Sequence, residues 1–155
     1  MLKKTITYTN FDGVTETVDA YFNLTKTECV DLNLEFEEEG GLIGRIKKIM
    51  AEREDGETPK KPAVDFVKLL IDRSYGIRPK DDPSLFLKED DNGKPYYKKF
   101  KQSAAYDAYV FALLSGEESL DEFAAHVLPQ ISDAQKAEAA KLLEAEGLGS
   151  MIREV

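Results

Sequence analysis

Only one cysteine, Cys29, and one histidine, His126, occur in the 155 residues, and tryptophan is absent. A single cysteine excludes an intrachain disulfide, and with it the stapled scaffold of a small secreted domain. One histidine and one cysteine are too few soft ligands for a zinc site. No apolar run approaches the roughly 18 residues that a membrane-spanning helix needs. The start, MLKKTITYTNF, has two lysines but no apolar h-region, so no signal peptide is expected. Basic charge is also in deficit, with 21 Lys and Arg against 30 Asp and Glu, for a net charge of −9. That balance repels phosphate backbones and anionic lipid, so neither nucleic acid nor a membrane is expected as a partner. Elimination leaves a cytoplasmic protein.

Chemical motifs are missing as well. The segment 40-GGLIGRIKK-48 contains no G-x-G-x-x-G, and no phosphate loop occurs elsewhere. In 88-KEDDNGKPYYKK-99, with Gly93 at the sixth position, a calcium loop would have Lys88 and Lys99 where it needs carboxylates. Cys29 falls beside an apolar turn with no base at hand, and it reads as a buried small hydrophobe rather than a nucleophile. His126 reads as a partly buried helix histidine. The carboxylates come in solvated runs such as Glu37-Glu38-Glu39 and Asp81-Asp82, without the dry pocket that raises a general acid's pKa. Asn23-Leu24-Thr25 matches a glycosylation acceptor only by chance if the chain is not secreted. The lysines of 96-YYKKFKQ-102 read as a solvated helix face over core aromatics. No catalytic residue, cofactor or metal is expected, and the chain is not expected to be an enzyme.

What is present is an ordinary globular balance, 42% hydrophobic and 33% charged, on a length that suits one domain. Residues 2–24 alternate as a β-hairpin, with Leu2, Ile6 and Tyr8 before the turn 10-NFDGV-14 and Val18, Ala20, Phe22 and Leu24 after it. Asp12-Gly13 supplies the positive φ of a tight turn. Thr25 and Glu28 then form a T-x-x-E capping box, which predicts a helical turn at 25–29. Beyond it Val30, Leu32, Leu34 and Phe36 alternate with Asp31, Asn33, Glu35 and Glu37, a period of two that predicts a third strand over 30–37.

Helices are predicted from there on. The first spans 42–54, with Leu42, Ile46, Ile49, Met50 and Arg53 on one side and Gly56 at its end. The second spans 63–75, with a stripe of Ala63, Phe66, Val67, Leu70 and Ile71 between Pro62 and Gly76. A long acidic loop, 77–95, has the length of a functional or mobile segment. A central helix over 97–115 turns Phe100, Ala104, Ala108, Phe111 and Leu114 inward, and Tyr106, Tyr109, Val110 and Leu113 widen its apolar surface nearly all round. Capping boxes at Ser119/Glu122 and Ser132/Gln135 open helices 119–128 and 132–145. The expected fold is α+β: an N-terminal antiparallel β-hairpin or three-stranded sheet, then a bundle of about five helices. Residues 1–130 read as one domain and 131–155 as a C-terminal helix with a loose tail, in the manner of an appendage.

The order of motifs carries a resemblance. The run 5-TITYTNFDG-13, 20-AYFNLTKTE-28, 40-GGL-42, 69-LLIDRSYG-76, 100-FKQSAAYDAYVFALLS-115 and 123-FAAHVLP-129 resembles the small tail assembly chaperones of long-tailed phages and prophages. The resemblance implies a non-enzymatic protein that coats the long tape-measure protein in the host cytoplasm before the tail tube polymerises. Its implied partners are the tape-measure protein and other tail proteins, with room for self-association. Such a partner requires apolar grooves on a soluble acidic body. The apolar excess of helix 97–115 makes Tyr106, Tyr109, Val110 and Leu113 the candidate partner-binding residues. The alternative is a virion structural subunit, such as a head-decoration, connector or tail-terminator protein. A small regulator that binds a host protein is a third class.

Overall fold

The structure, a computed structural model, describes residues 1–52 and 60–129. The chain divides into two compact units, Met1–Leu24 with Pro59–Val127, and Thr25–Thr58 with Leu128–Val155. The class is α+β, as expected: a three-stranded antiparallel sheet that begins at the N-terminus, with six α-helices among the described residues.

In the first unit, β1 (Leu2–Thr9) and β2 (Thr15–Phe22) form the expected hairpin, in a register that pairs Leu2 with Phe22 and Thr9 with Thr15. Gly13 takes the predicted positive φ, 81°. The turn's main organiser is Asn10, whose Oδ1 accepts from the Asp12 and Val14 amides at 2.9 Å each. This Asx-type bonding satisfies amides that the turn leaves unpaired. Ile6, Ala20, Phe22 and Leu24 are buried, whereas all of Thr15–Asp19 is exposed. Beyond the Ile6–Val18 pair no residue of the hairpin is buried, and its tip carries Phe11 at 86% exposure.

Helix α3 (Lys61–Ser74) turns Phe66, Val67, Leu70 and Ile71 into the core, and proline stands in its first turn. The stripe is the predicted one, apart from a half-buried Ala63. Gly76, expected just past a helix end, belongs instead to β3 (Tyr75–Gly76), the true third strand, whose residues pair with Tyr21 and Phe22. A Cβ on Gly76 would lie 2.5 Å from the Phe86 ring and 2.8 Å from the Leu87 carbonyl oxygen. Glycine is there for close approach, not for a helix cap.

The loop after β3 is fastened rather than loose. Ile77 bridges Leu87, Glu89 bridges Pro95, and the Lys88 ammonium donates to the carbonyls of Asn23 (2.9 Å) and Arg73 (2.5 Å). One lysine thus ties the loop to the ends of β2 and α3. Lys88→Met keeps the stem and removes both bonds, so it is expected to cost about 1–3 kcal/mol. Amide hydrogen exchange is expected to rise over 77–95 first. Unchanged protection there would show that the bridges alone hold the loop.

The helix expected over 97–115 is two helices. Short α4 (Tyr97–Phe100) ends, and α5 (Ala104–Ser115) starts afresh from Ser103, whose Oγ accepts from the Tyr106 amide at 3.1 Å. The break resets the helical phase, so a stripe counted from Phe100 does not continue. Ala105, Tyr106, Tyr109, Val110 and Leu113 point inward, Ala104, Ala108 and Leu114 are half-buried, and Phe111 is 65% exposed. Helix α6 (Leu120–Val127) opens on Ser119, whose Oγ accepts from the Glu122 amide at 3.2 Å, and buries Leu120, Phe123, Ala124 and Val127.

Phe22 sits at the centre of this core, fully buried. The rings of Tyr75, Phe100, Tyr109 and Phe123 surround it at centroid distances of 5.5–6.1 Å. Tyr75 and Phe100 stack at 4.1 Å.

In the second unit, the strand expected over 30–37 is a helix, α1 (Lys26–Glu35). Both halves of its capping box are made: the Glu28 amide donates to Thr25 Oγ1 (3.2 Å), and the Thr25 amide to Glu28 Oε1 (2.9 Å). The alternation misleads because only Leu32 of its apolar residues is buried, while Val30 and Leu34 face solvent at 56% and 62% exposure. A period-two pattern predicts a strand only if its apolar members share the core.

A single 3₁₀ turn, Glu37–Glu39, leads into α2 (Gly41–Glu52). Gly40 and Gly41 both have positive φ, 87° and 81°, so they join two helices rather than a strand and a helix. Asn33 Oδ1 accepts from the Leu42 amide at 2.8 Å and satisfies a donor at the start of α2. Arg45 pairs with Glu39 at 3.0 Å. Leu42, Ile46 and Ile49 are buried, as predicted. The Met50 side chain, Arg53, Gly56 and the helix expected over 132–145 lie outside the described residues.

Candidate partner-binding surfaces

The four residues proposed from sequence for partner contact, Tyr106, Tyr109, Val110 and Leu113, are brought together on the inner face of α5 at 1–6% exposure. They already have partners. Tyr106 packs edge-on to Phe100, and its hydroxyl donates to Asp72 Oδ1 on α3 at 3.1 Å. Burial, with the negative charge of Asp72 second, pushes the Tyr106 phenol well above the ordinary tyrosine range. Tyr109 lies among Phe22 and Phe123, with Lys4 Nζ 6.0 Å from its ring centre. Burial, then the nearby Glu118 carboxylate, raises its pKa too. Both phenols remain neutral at any physiological pH. The exposed large apolar side chain of α5 is Phe111, which a stripe counted from Phe100 places inward.

A groove of about 280 Å³ runs along α3, between Asp65, Lys68, Asp72 and Arg73 on that helix and Tyr97 and Lys101 opposite. Two of its charges answer one another, with Lys101 Nζ 3.5 Å from Asp72 Oδ2. Partial burial raises the Asp72 carboxyl above the ordinary carboxylate range, although Lys101 and the Tyr106 hydroxyl pull it down. A raised folded-state pKa means that Asp72 favours folding most when protonated, and this contribution is lost as pH rises through the folded pKa. Asp72→Asn keeps an acceptor for Tyr106 without the charge. Its stability relative to wild type is therefore expected to be better at neutral pH than near the ordinary aspartate pKa. Urea midpoints at both pH values check this, and a difference of the opposite sign would exclude desolvation as the dominant cause.

His126 is exposed rather than partly buried, and its Nδ1 lies 2.7 Å from the Glu122 carbonyl oxygen, one turn back on α6. Cys29 is half-buried, not fully buried. In the loop 88–99, the Asp90 carboxylate accepts from the Asn92 and Lys94 amides at 2.9 Å each and closes a turn around Gly93. No group of three His, Cys, Asp or Glu among the described residues is placed to hold a metal ion. Among those residues, too, no helix is long and apolar enough to cross a membrane.

Large apolar side chains do lie open to water, each alone or in pairs. The most exposed are Phe11 and Val14 at the hairpin tip, Phe111 on α5, and Val30 with Leu34 on α1. Such residues on a strongly acidic chain suit contact with another macromolecule rather than a small substrate. No curated protein and no solved structure matches the chain. The family model for phage tail assembly chaperones matches residues 1–150, nearly the whole length, and the chain belongs to that family.

Proposed function

We propose that this chaperone binds the tape-measure protein during tail morphogenesis, in the cytoplasm of the bacterial host, and leaves before the virion is complete. The family implies a non-enzymatic role. The observation that carries the proposal is the set of exposed apolar side chains held on a body of net charge −9. A long, aggregation-prone partner needs apolar contact, and the surplus charge keeps the complex soluble. Contact through Tyr106, Tyr109, Val110 and Leu113 would require α5 to leave the sheet. Phe11, Phe111, Val30 and Leu34 need no such rearrangement.

Co-expression with tape-measure fragments, followed by affinity capture, tests the proposal. At least one fragment is expected to co-purify and to stay soluble only in the chaperone's presence. If none does, tape-measure binding is wrong. Mass spectrometry of purified particles addresses the remaining point: the chain is expected to be absent, and stoichiometric presence would make it a virion structural subunit.

A further inference from the structure

We propose that the exposed face of α1 docks a basic amphipathic segment of the partner, with Val30 and Leu34 as its apolar anchors. This inference rests on the function proposed above and specifies the chemistry of the bound segment. Val30 and Leu34 lie four residues apart, one turn, so their side chains form a single exposed apolar strip on α1. Asp31 and Glu35 run beside the strip, and Glu37 and Glu38 follow it; all four are exposed.

The charge here is concentrated. Residues 25–39 hold six carboxylates against one lysine, a net −5 out of −9 for the whole chain. Internal needs account for only part of it. Glu28 serves the cap, and Glu39 pairs with Arg45 and Lys48. Asp31, Glu37 and Glu38 have no ion pair among the described residues. Acids at a helix C-terminus oppose the helix dipole, and α1 has no basic residue in its last turn. The local sequence thus carries a cost that a cationic partner would relieve.

The same charge argues against the other occupants. Two copies of this face would bring two net −5 segments together. The chain's own residues 131–155 have five acids and three bases, a net −2, so their charge does not complement the acidic rim. A segment with apolar residues at helical spacing and flanking Lys or Arg complements both the strip and its rim.

The test uses the full chain and overlapping tape-measure peptides, with affinity measured by fluorescence anisotropy across a salt series. V30Q/L34Q alters only exposed positions and is expected to weaken binding by about tenfold or more. D31K/E38K is expected to weaken it several-fold and to flatten the salt dependence. Peptides whose Lys and Arg are replaced by Glu are expected to recover affinity for D31K/E38K but not for wild type. Circular dichroism of both variants should match wild type.

If wild type binds peptides and both variants bind them equally well, the α1 face is overturned while tape-measure binding stands. If wild type binds none, the proposed function itself fails. If V30Q/L34Q instead changes the sedimentation of the free protein, the face joins copies of this chain and the docking proposal falls. A photo-crosslinker at Val30 that captures residues 131–155 with peptide present would overturn it as well.

Discussion

Phe22→Ala is expected to be the most damaging single substitution in the first unit, at about 3–5 kcal/mol. Three effects add. The ring is fully buried, so its truncation loses the transfer free energy of a large apolar side chain. The cavity opens at the junction of β2, β3, α4, α5 and α6, where four other rings meet and no single element can move in to fill it. The edge-on contacts with Tyr75 and Phe123 are lost too, each of a kind worth roughly 0.5–1.5 kcal/mol. At roughly 2–4 °C per kcal/mol for a chain of this size, Tm should fall by on the order of 10 °C. Phe111→Ala is the matched control. It removes the same side chain from a 65% exposed site and should change stability by no more than about 0.5 kcal/mol. Equal losses from the two would mean that Phe22 is not the centre of the core.

Gly44→Ala should destabilise the second unit, although helix propensity argues the other way. Gly44 lies inside α2, where replacing glycine by alanine ordinarily gains about 1 kcal/mol. Here a Cβ would run into the carbonyl oxygen of Glu39, far inside van der Waals contact. The obstacle is backbone, so no rotamer relieves it. Either α2 shifts, or the 3₁₀ turn moves and disturbs both the Gly40-Gly41 corner and the Glu39–Arg45 pair. Overpacking of this sort costs typically about 1–3 kcal/mol, enough to cancel the propensity gain and reverse its sign. Hydrogen exchange of α1 and α2 amides should accelerate. A raised urea midpoint would instead show that the approach is looser and propensity decides.

Where sequence reading succeeded, the signal was local and had a direct physical cause. Gly13 is needed at positive φ, Thr25 and Glu28 cap each other, and the stripe on α3 repeats at the helical period. Where it failed, the missing information was which apolar residue faces the core. Val30, Leu34 and Phe111 are as apolar as their buried neighbours, and no propensity separates them. Ser103 was a legible signal that a continuous apolar pattern concealed: a serine N-cap that breaks one helix and resets the next.

The sequence by itself determined the α+β class, the hairpin and its turn, four of the helices and the resemblance to tail assembly chaperones, because caps, turns and periodicity act over a few residues. Tertiary structure alone decided that α1 is a helix throughout, that β3 follows α3 and that Lys88 ties down the loop. It also decided that Tyr106, Tyr109, Val110 and Leu113 lie inside while Val30, Leu34 and Phe111 lie outside. Each of these depends on contacts between residues far apart in the chain, and burial is a property of the packed whole rather than of any side chain alone.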